Sequence, residues 1–141
     1  MSILEQLIIG RERIEQGWVQ NTHWEEEQGE IGFCTVGALT GAISFTTSVW
    51  KPYERTLNLL GSLLRNEYIT PRTLPRELAR NREYIYYWND AEGRTKQDVL
   101  DLYDRAIEMA RQLEELEAAH FPVKEIVQEP AIEIVRELET V

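Results

Sequence analysis

Two capping signals constrain this chain more than any other feature of it. Ser2-x-x-Glu5 and Thr95-x-x-Asp98 each set a hydroxyl residue ahead of a carboxylate. In this capping-box spacing the two side chains satisfy orphan backbone donors in the first turn of a helix, with Asp a weaker partner than Glu. Apolar residues recur at helical period after both: Ile3, Leu4, Leu7, Ile8 and Ile14, then Val99, Leu102, Tyr103, Ala106, Ala110 and Leu113. Such a stripe buries one face of a helix. The chain is therefore expected to open with a helix that Gly17 ends in the left-handed conformation. Its longest helix should run from the Thr95 cap to about Ala119.

Three more helices fit between these two. Val36, Leu39, Ala42 and Ile43, with Gly37, Ala38 and Gly41, predict a helix from about Phe33 whose small residues admit a close neighbour. That helix is expected to be the central, most buried one, with packing offsetting the low helicity of its glycines. Pro52 suits the first turn of the next, with Leu57, Leu60, Leu63 and Leu64 as its face and an end near Asn66. Thr70-Pro71 is a break, and Pro75 opens a short helix containing Leu78. Tyr84 to Trp88 reads as a helical turn or a short strand, and Asn89 to Gly93 as a turn. Trp18 to Gly32 is irregular, a loop with a short strand at Trp18 to Asn21. The fold class is thus mainly α: a compact helical domain of about five helices over residues 1–121, with a possible short strand element. An acidic C-terminal segment, residues 122–141, either docks or stays mobile.

The formal charge of −10 over 141 residues argues against direct nucleic-acid binding, which needs Lys and Arg to neutralise phosphates. It suits a protein partner with a basic surface, and it leaves a homo-oligomer open. From Glu108 to Val141 the net charge is −6, and from Arg65 to Glu83 it is +2. No apolar run approaches bilayer length, and Met1 to Gly10 lacks a basic leader. A single cysteine, Cys34, fits a reducing compartment. The expected location is cytoplasmic, away from membranes.

Three local patterns occur in order: Gly17-Trp18-Val19-Gln20, then Cys34-Thr35-Val36-Gly37-Ala38-Leu39, then Trp88-Asn89-Asp90 followed by Gly93-Arg94-Thr95 and Val99. Together they resemble a family of small bacterial and phage proteins of unknown function, across Ile14 to Leu113. Its members show G-W-C-Q, C-A-x-G-A-[LI] and W-N-D-x-x-x-R-T-x-x-x-V. Val19 stands here for the cysteine of the first pattern, and Thr35 for the alanine of the second. The resemblance implies a shared fold unit and a bacterial or phage origin; it carries no mechanism.

Cys34 is the candidate nucleophile, since a thiol at a helix N-terminus is acidified by the helix dipole. His23 or His120 would be its base, with Gln20, Asn89 or Asp90 orienting that base or donating to an oxyanion. Its neighbours Phe33 and Val36 instead favour a packing role. Trp18, Gln20, Trp88, Asn89, Asp90 and Arg94 form a candidate binding corner, amides and a carboxylate beside aromatic rings. The competing explanation is local: turn residues, a Thr95 cap and a Trp88 anchor.

Glu25, Glu26 and Glu27 read as a solvated face. No metal-ligand spacing and no phosphate loop occurs, so no metal or cofactor is implied. Arg72, Arg76, Arg80 and Arg82 offer a basic cluster for a phosphate, an acidic partner or the chain's own tail. The expected function is a non-enzymatic interaction protein. The alternatives are an inhibitor of a host defence or nucleic-acid enzyme acting through its acidic surface, and a small cysteine enzyme or ligand sensor centred on Cys34.

Overall fold

Helix α1 (Ile3–Gln16) forms on the first capping box: Ser2 Oγ accepts the Glu5 N–H at 3.1 Å, and Glu5 Oε1 accepts the Ser2 N–H at 3.3 Å. The structure, a computed structural model, describes residues 1–42, 47–66 and 78–119. Within them lie β1 (Trp24–Glu27), β2 (Glu30–Phe33), α2 (Gly37–Thr40), a 3-10 helix (Thr47–Tyr53), α3 (Glu54–Arg65), α4 (Leu78–Asp90) and α5 (Lys96–Ala118). The architecture is mainly α, with a small two-stranded antiparallel sheet. None of the described helices is long and apolar enough to cross a membrane. The expected segment 122–141, His120, and Arg72 and Arg76 of the basic cluster lie outside the described residues.

The segment after α1 is a hairpin rather than a loop with one early strand. Trp24 pairs with Phe33 and Glu27 with Glu30. Gln28 (φ 53°) and Gly29 (φ 83°) make the two-residue turn, whose positive φ values match the twist of a tight hairpin. At the expected strand position, Trp18 makes one isolated bridge to Phe33. Gly17 ends α1 in an extended conformation, φ 179°, and not in the left-handed region. It is small for a different reason: a Cβ there would lie 2.9 Å from the Ile31 carbonyl oxygen in β2.

The helix expected from Phe33 is a single turn, Gly37–Thr40. Phe33 belongs to β2 instead, and Gly41 (φ 80°) turns the chain out of the helix after donating to the Gly37 carbonyl at 2.9 Å. Residues 32–41 are nonetheless all buried. Their small side chains admit backbone, not another helix: a Cβ on Gly37 would collide with the carbonyl of His23. Arg13 reaches over from α1 and donates to the Ala38 and Leu39 carbonyls at 2.8 and 3.0 Å, satisfying the C-terminal carbonyls of a helix too short to pair them itself.

The central helix is α3, buried without interruption from Thr56 to Leu63. It packs against α1, α4, α5 and the 3-10 helix. The 3-10 helix contains Pro52, so α3 starts two residues after it, and Asn66 (φ 56°) ends it in the left-handed region. Its buried Thr56 hydroxyl donates to Gln6 Oε1 on α1, whose Nε2 donates to the Pro52 carbonyl at 2.8 Å. Helix α5, capped by Thr95 and Asp98, lays Val99, Leu102, Tyr103, Ala106, Ala110 and Leu113 against the core. It crosses α1 where Gly10 leaves room for the Tyr103 ring.

Candidate functional site

Tyr84 to Trp88 is helical, and Trp88, Asn89 and Asp90 form the last turn of α4, with the turn proper at residues 91–93. A helix end leaves carbonyls without partners. Side chains supply the donors here. Arg94 Nε donates to the Trp88 carbonyl at 2.8 Å, and its guanidinium stacks over the Trp88 ring at 4.2 Å. Gln20 Nε2 donates to the Asn89 and Ala91 carbonyls at 3.0 and 3.1 Å.

Asn89 faces inward and is 1% exposed. Its Oδ1 accepts three donors: Trp18 Nε1 at 2.8 Å, Thr35 N at 2.9 Å and Thr35 Oγ1 at 2.6 Å. An indole and a backbone N–H only donate, which fixes the amide with its oxygen toward them. Its Nδ2 donates to the Val19 carbonyl at 3.2 Å and to Asp90 Oδ1 at 2.9 Å. The Thr35 carbonyl in turn accepts from the buried Tyr103 hydroxyl at 2.6 Å. One amide therefore joins the segment after α1, the β2–α2 junction and α4, and through Thr35 it reaches α5. Of the expected binding corner, Trp18 and Asp90 bond the Asn89 amide, Gln20 bonds the Asn89 and Ala91 carbonyls, and Arg94 bonds and stacks on Trp88, all in contacts within the fold.

The second assembly is a cleft of about 380 Å³ at the foot of the hairpin, lined by Asn21, Thr22, His23, Cys34, Tyr86 and Asp90. The Cys34 N–H donates to the His23 carbonyl at 2.9 Å, so thiol and imidazole share one site. Cys34 is 2% exposed, and burial pushes its thiol up to about 11, although its Sγ accepts the Gly37 N–H at 3.2 Å. Burial outweighs the one-turn helix that follows, so the thiol is held in its neutral, poorly nucleophilic form. His23 Nε2 lies 2.7 Å from the Tyr86 hydroxyl, with the two rings edge to face. Burial, then the nearby Arg82 cation, lower the His23 pKa from 6.5. Burial, then Cys34, raise that of Tyr86 to about 12. Arg82 itself stacks over Trp50 at 4.7 Å. Tyr86 was not singled out from sequence, although its place four residues before Asp90 puts both on one face of a helix.

The third feature is a groove of about 280 Å³ between the C-terminal end of α1 and the hairpin. Trp18, Glu25, Glu27 and Glu30 are among its lining residues. Strand alternation explains why Glu25 and Glu27, two apart, share this side. Among the described residues no ion pair reaches any of these three carboxylates. No group of three or more His, Cys, Asp or Glu among the described residues is placed to hold a metal ion.

A model for a family of unknown function (DUF6197) matches residues 2–109. The chain belongs to this family. No curated protein and no solved structure matches it. The span that defines this DUF6197 member runs from the first capping box into α5, and so takes in the Asn89 hub, the cleft and the acidic groove.

Proposed function

We propose that the protein acts by binding another protein that presents basic side chains, and that it performs no catalysis of its own. The observation that supports this reading is the acidic groove. Glu27 sits directly opposite Glu30 across the hairpin, with Glu25 on the same side. Like charges at directly opposed positions destabilise a strand pair. Lys or Arg side chains entering the groove relieve that repulsion, and Trp18 offers them an aromatic face. The carbonyl end of α1 adds further negative potential. The catalytic reading gains less support, because the Cys34 thiol is buried and neutral and Gln20 and Asn89 spend their amides on the fold.

A narrower form of this proposal is an inhibitor that occupies the basic groove of a host defence or nucleic-acid enzyme. It rests on the same acidic face and on the resemblance to bacterial and phage proteins. The buried single cysteine suits a reducing, cytoplasmic setting.

The test is native mass spectrometry of the tagged protein isolated gently from its own cells, beside a Glu25→Gln/Glu27→Gln/Glu30→Gln variant. The expected result is a stoichiometric protein partner that the variant loses and that rising salt releases. A partner retained by the variant and indifferent to salt would overturn the proposal.

A further inference from the structure

We propose that the cleft beneath the hairpin is a binding site for a small organic cation, a primary amine with a short apolar or aromatic body, anchored by Asp90. The volume of about 380 Å³ lies in the range of small-molecule sites. Its walls come from the segment after α1, the β2–α2 junction and α4, the same three pieces that Asn89 locks together. The site is thus preorganised by the fold, which lowers the ordering cost of binding.

The chemistry of the lining selects the ligand. Asp90 carries the only full charge among the six described lining residues once His23 is neutral. Its Oδ1 is fixed by the Asn21 N–H at 2.8 Å and by Asn89 Nδ2 at 2.9 Å. Among the described residues no donor reaches its second oxygen, Oδ2. A carboxylate so oriented, with one oxygen spent and one open, is an acceptor for a single ammonium group. An anion would meet it with repulsion, and a dication would find no second acid among the described lining residues. Thr22 adds a hydroxyl beside it.

The remaining described lining residues are soft and uncharged. His23 and Tyr86 meet in their 2.7 Å contact and turn their rings edge to face. Cys34 contributes a neutral thiol. These groups suit the apolar body of an amine. The Arg82 guanidinium stacks over Trp50 and is not among the described lining residues, but it reaches the Tyr86 hydroxyl and its charge acts on His23. The His23–Tyr86 end of the cleft therefore suits the uncharged body of the ligand, and the ammonium belongs at Asp90.

Phenethylamine is the probe, titrated into ¹⁵N-labelled protein, with 2-phenylethanol as its uncharged counterpart. Saturable shifts of the Asn21, Thr22 and Cys34 amides are expected with the amine and not with the alcohol. In Asp90→Asn the amide oxygen still accepts from Asn21 and Asn89, but the charge is gone. Binding there should weaken by about tenfold or more. Equal response to amine and alcohol, unweakened binding in Asp90→Asn, or no saturable shift in the wild type would overturn the assignment. If Asp90→Asn fails to fold, the amine–alcohol comparison in the wild type decides alone. The site is remote in chemistry from the Glu25–Glu27–Glu30 groove, so either proposal can fail without the other.

Discussion

The Trp18 indole and the Asn89 amide, 71 residues apart in the chain, meet in a hydrogen bond of 2.8 Å. The bond closes a buried junction of the segment after α1, the β2–α2 junction and α4, which reaches α5 through Thr35. Buried polar groups are tolerated only when paired, and here the pairing is complete: Asn89 uses its oxygen three times and its nitrogen twice. An amide suits this position because it both accepts and donates. A carboxylate would lose the donors to Val19 and Asp90 and would add a like charge beside Asp90.

Replacing Asn89 by Ala strands three donors in the interior, at about 1–3 kcal/mol each. Some relaxation follows, so the expected loss is about 3–5 kcal/mol, a large part of a domain's total stability. Trp18→Phe keeps the ring and leaves Asn89 Oδ1 with its two Thr35 donors, so its loss should be about 1 kcal/mol. Urea denaturation of both variants measures this. Equal losses would mean that the indole bond, not the Thr35 pair, carries the junction.

Gly10→Ala tests how α5 seats on α1. Alanine in mid-helix normally gains about 1 kcal/mol over glycine. A Cβ here would lie 2.7 Å from Tyr103 Cε1, and that ring is fully buried and held by its bond to Thr35. Overpacking of this kind costs about 1–3 kcal/mol, so a net loss of stability is expected. In a Tyr103→Leu background the same substitution should turn neutral or stabilising. A gain from Gly10→Ala in the wild type would show that the ring yields freely.

The helices were legible because their signals are local. The Ser2–Glu5 and Thr95–Asp98 boxes and the Leu57-to-Leu64 stripe each lie within a few residues, and all mark real helices. The hairpin was missed because Trp24–Glu27 has one half-buried residue followed by three exposed acids, so it shows no apolar alternation. Gln28-Gly29 was the available sign, a two-residue turn of the kind that favours positive φ. The run after Phe33 misled for a related reason. Its small residues mark close approach, but the sequence does not say whether helix or backbone approaches. His23 and Cys34 meet across the base of the unforeseen hairpin, and Tyr86 joins them only through a pairing 63 residues along the chain, which no short-range pattern encodes.

Stability should fall on mild acidification through His23. Its pKa in the folded protein lies below the ordinary 6.5, so the unfolded chain binds the proton more readily. The contribution is whole above about 6.5 and is lost as pH falls from there toward the folded value. Burial and Arg82 disfavour the charged ring, while Asp90 favours it. Urea midpoints across this window should decline more steeply for the wild type than for His23→Gln. Parallel slopes would assign the acid sensitivity to other groups.

Cys34 should resist alkylation in the native protein. With 2% exposure and a thiol pushed up to about 11, it offers little thiolate at neutral pH. Iodoacetamide labelling followed by mass spectrometry should proceed only as fast as the protein opens, and denaturant should accelerate it sharply. Rapid native labelling would restore the cysteine-enzyme reading. The raised pKa has the opposite sign from that of His23: its contribution to stability is lost as pH rises from about 9 toward 11.

Glu27→Lys separates stability from binding. Glu27 faces Glu30 across the strands, so a lysine there turns a repulsive pair into an attractive one, worth about 0.2–1 kcal/mol. The variant should therefore melt slightly higher than the wild type, and the difference should shrink as salt screens both pairs. If the groove receives a basic partner, the same substitution should weaken that complex, because it places a cation where the partner's cation belongs. A residue that lowers the stability of its own hairpin while strengthening a complex is serving the complex. A Glu27→Lys protein that melts higher and binds its partner unchanged would leave the acidic pair as a surface cost with no function in recognition.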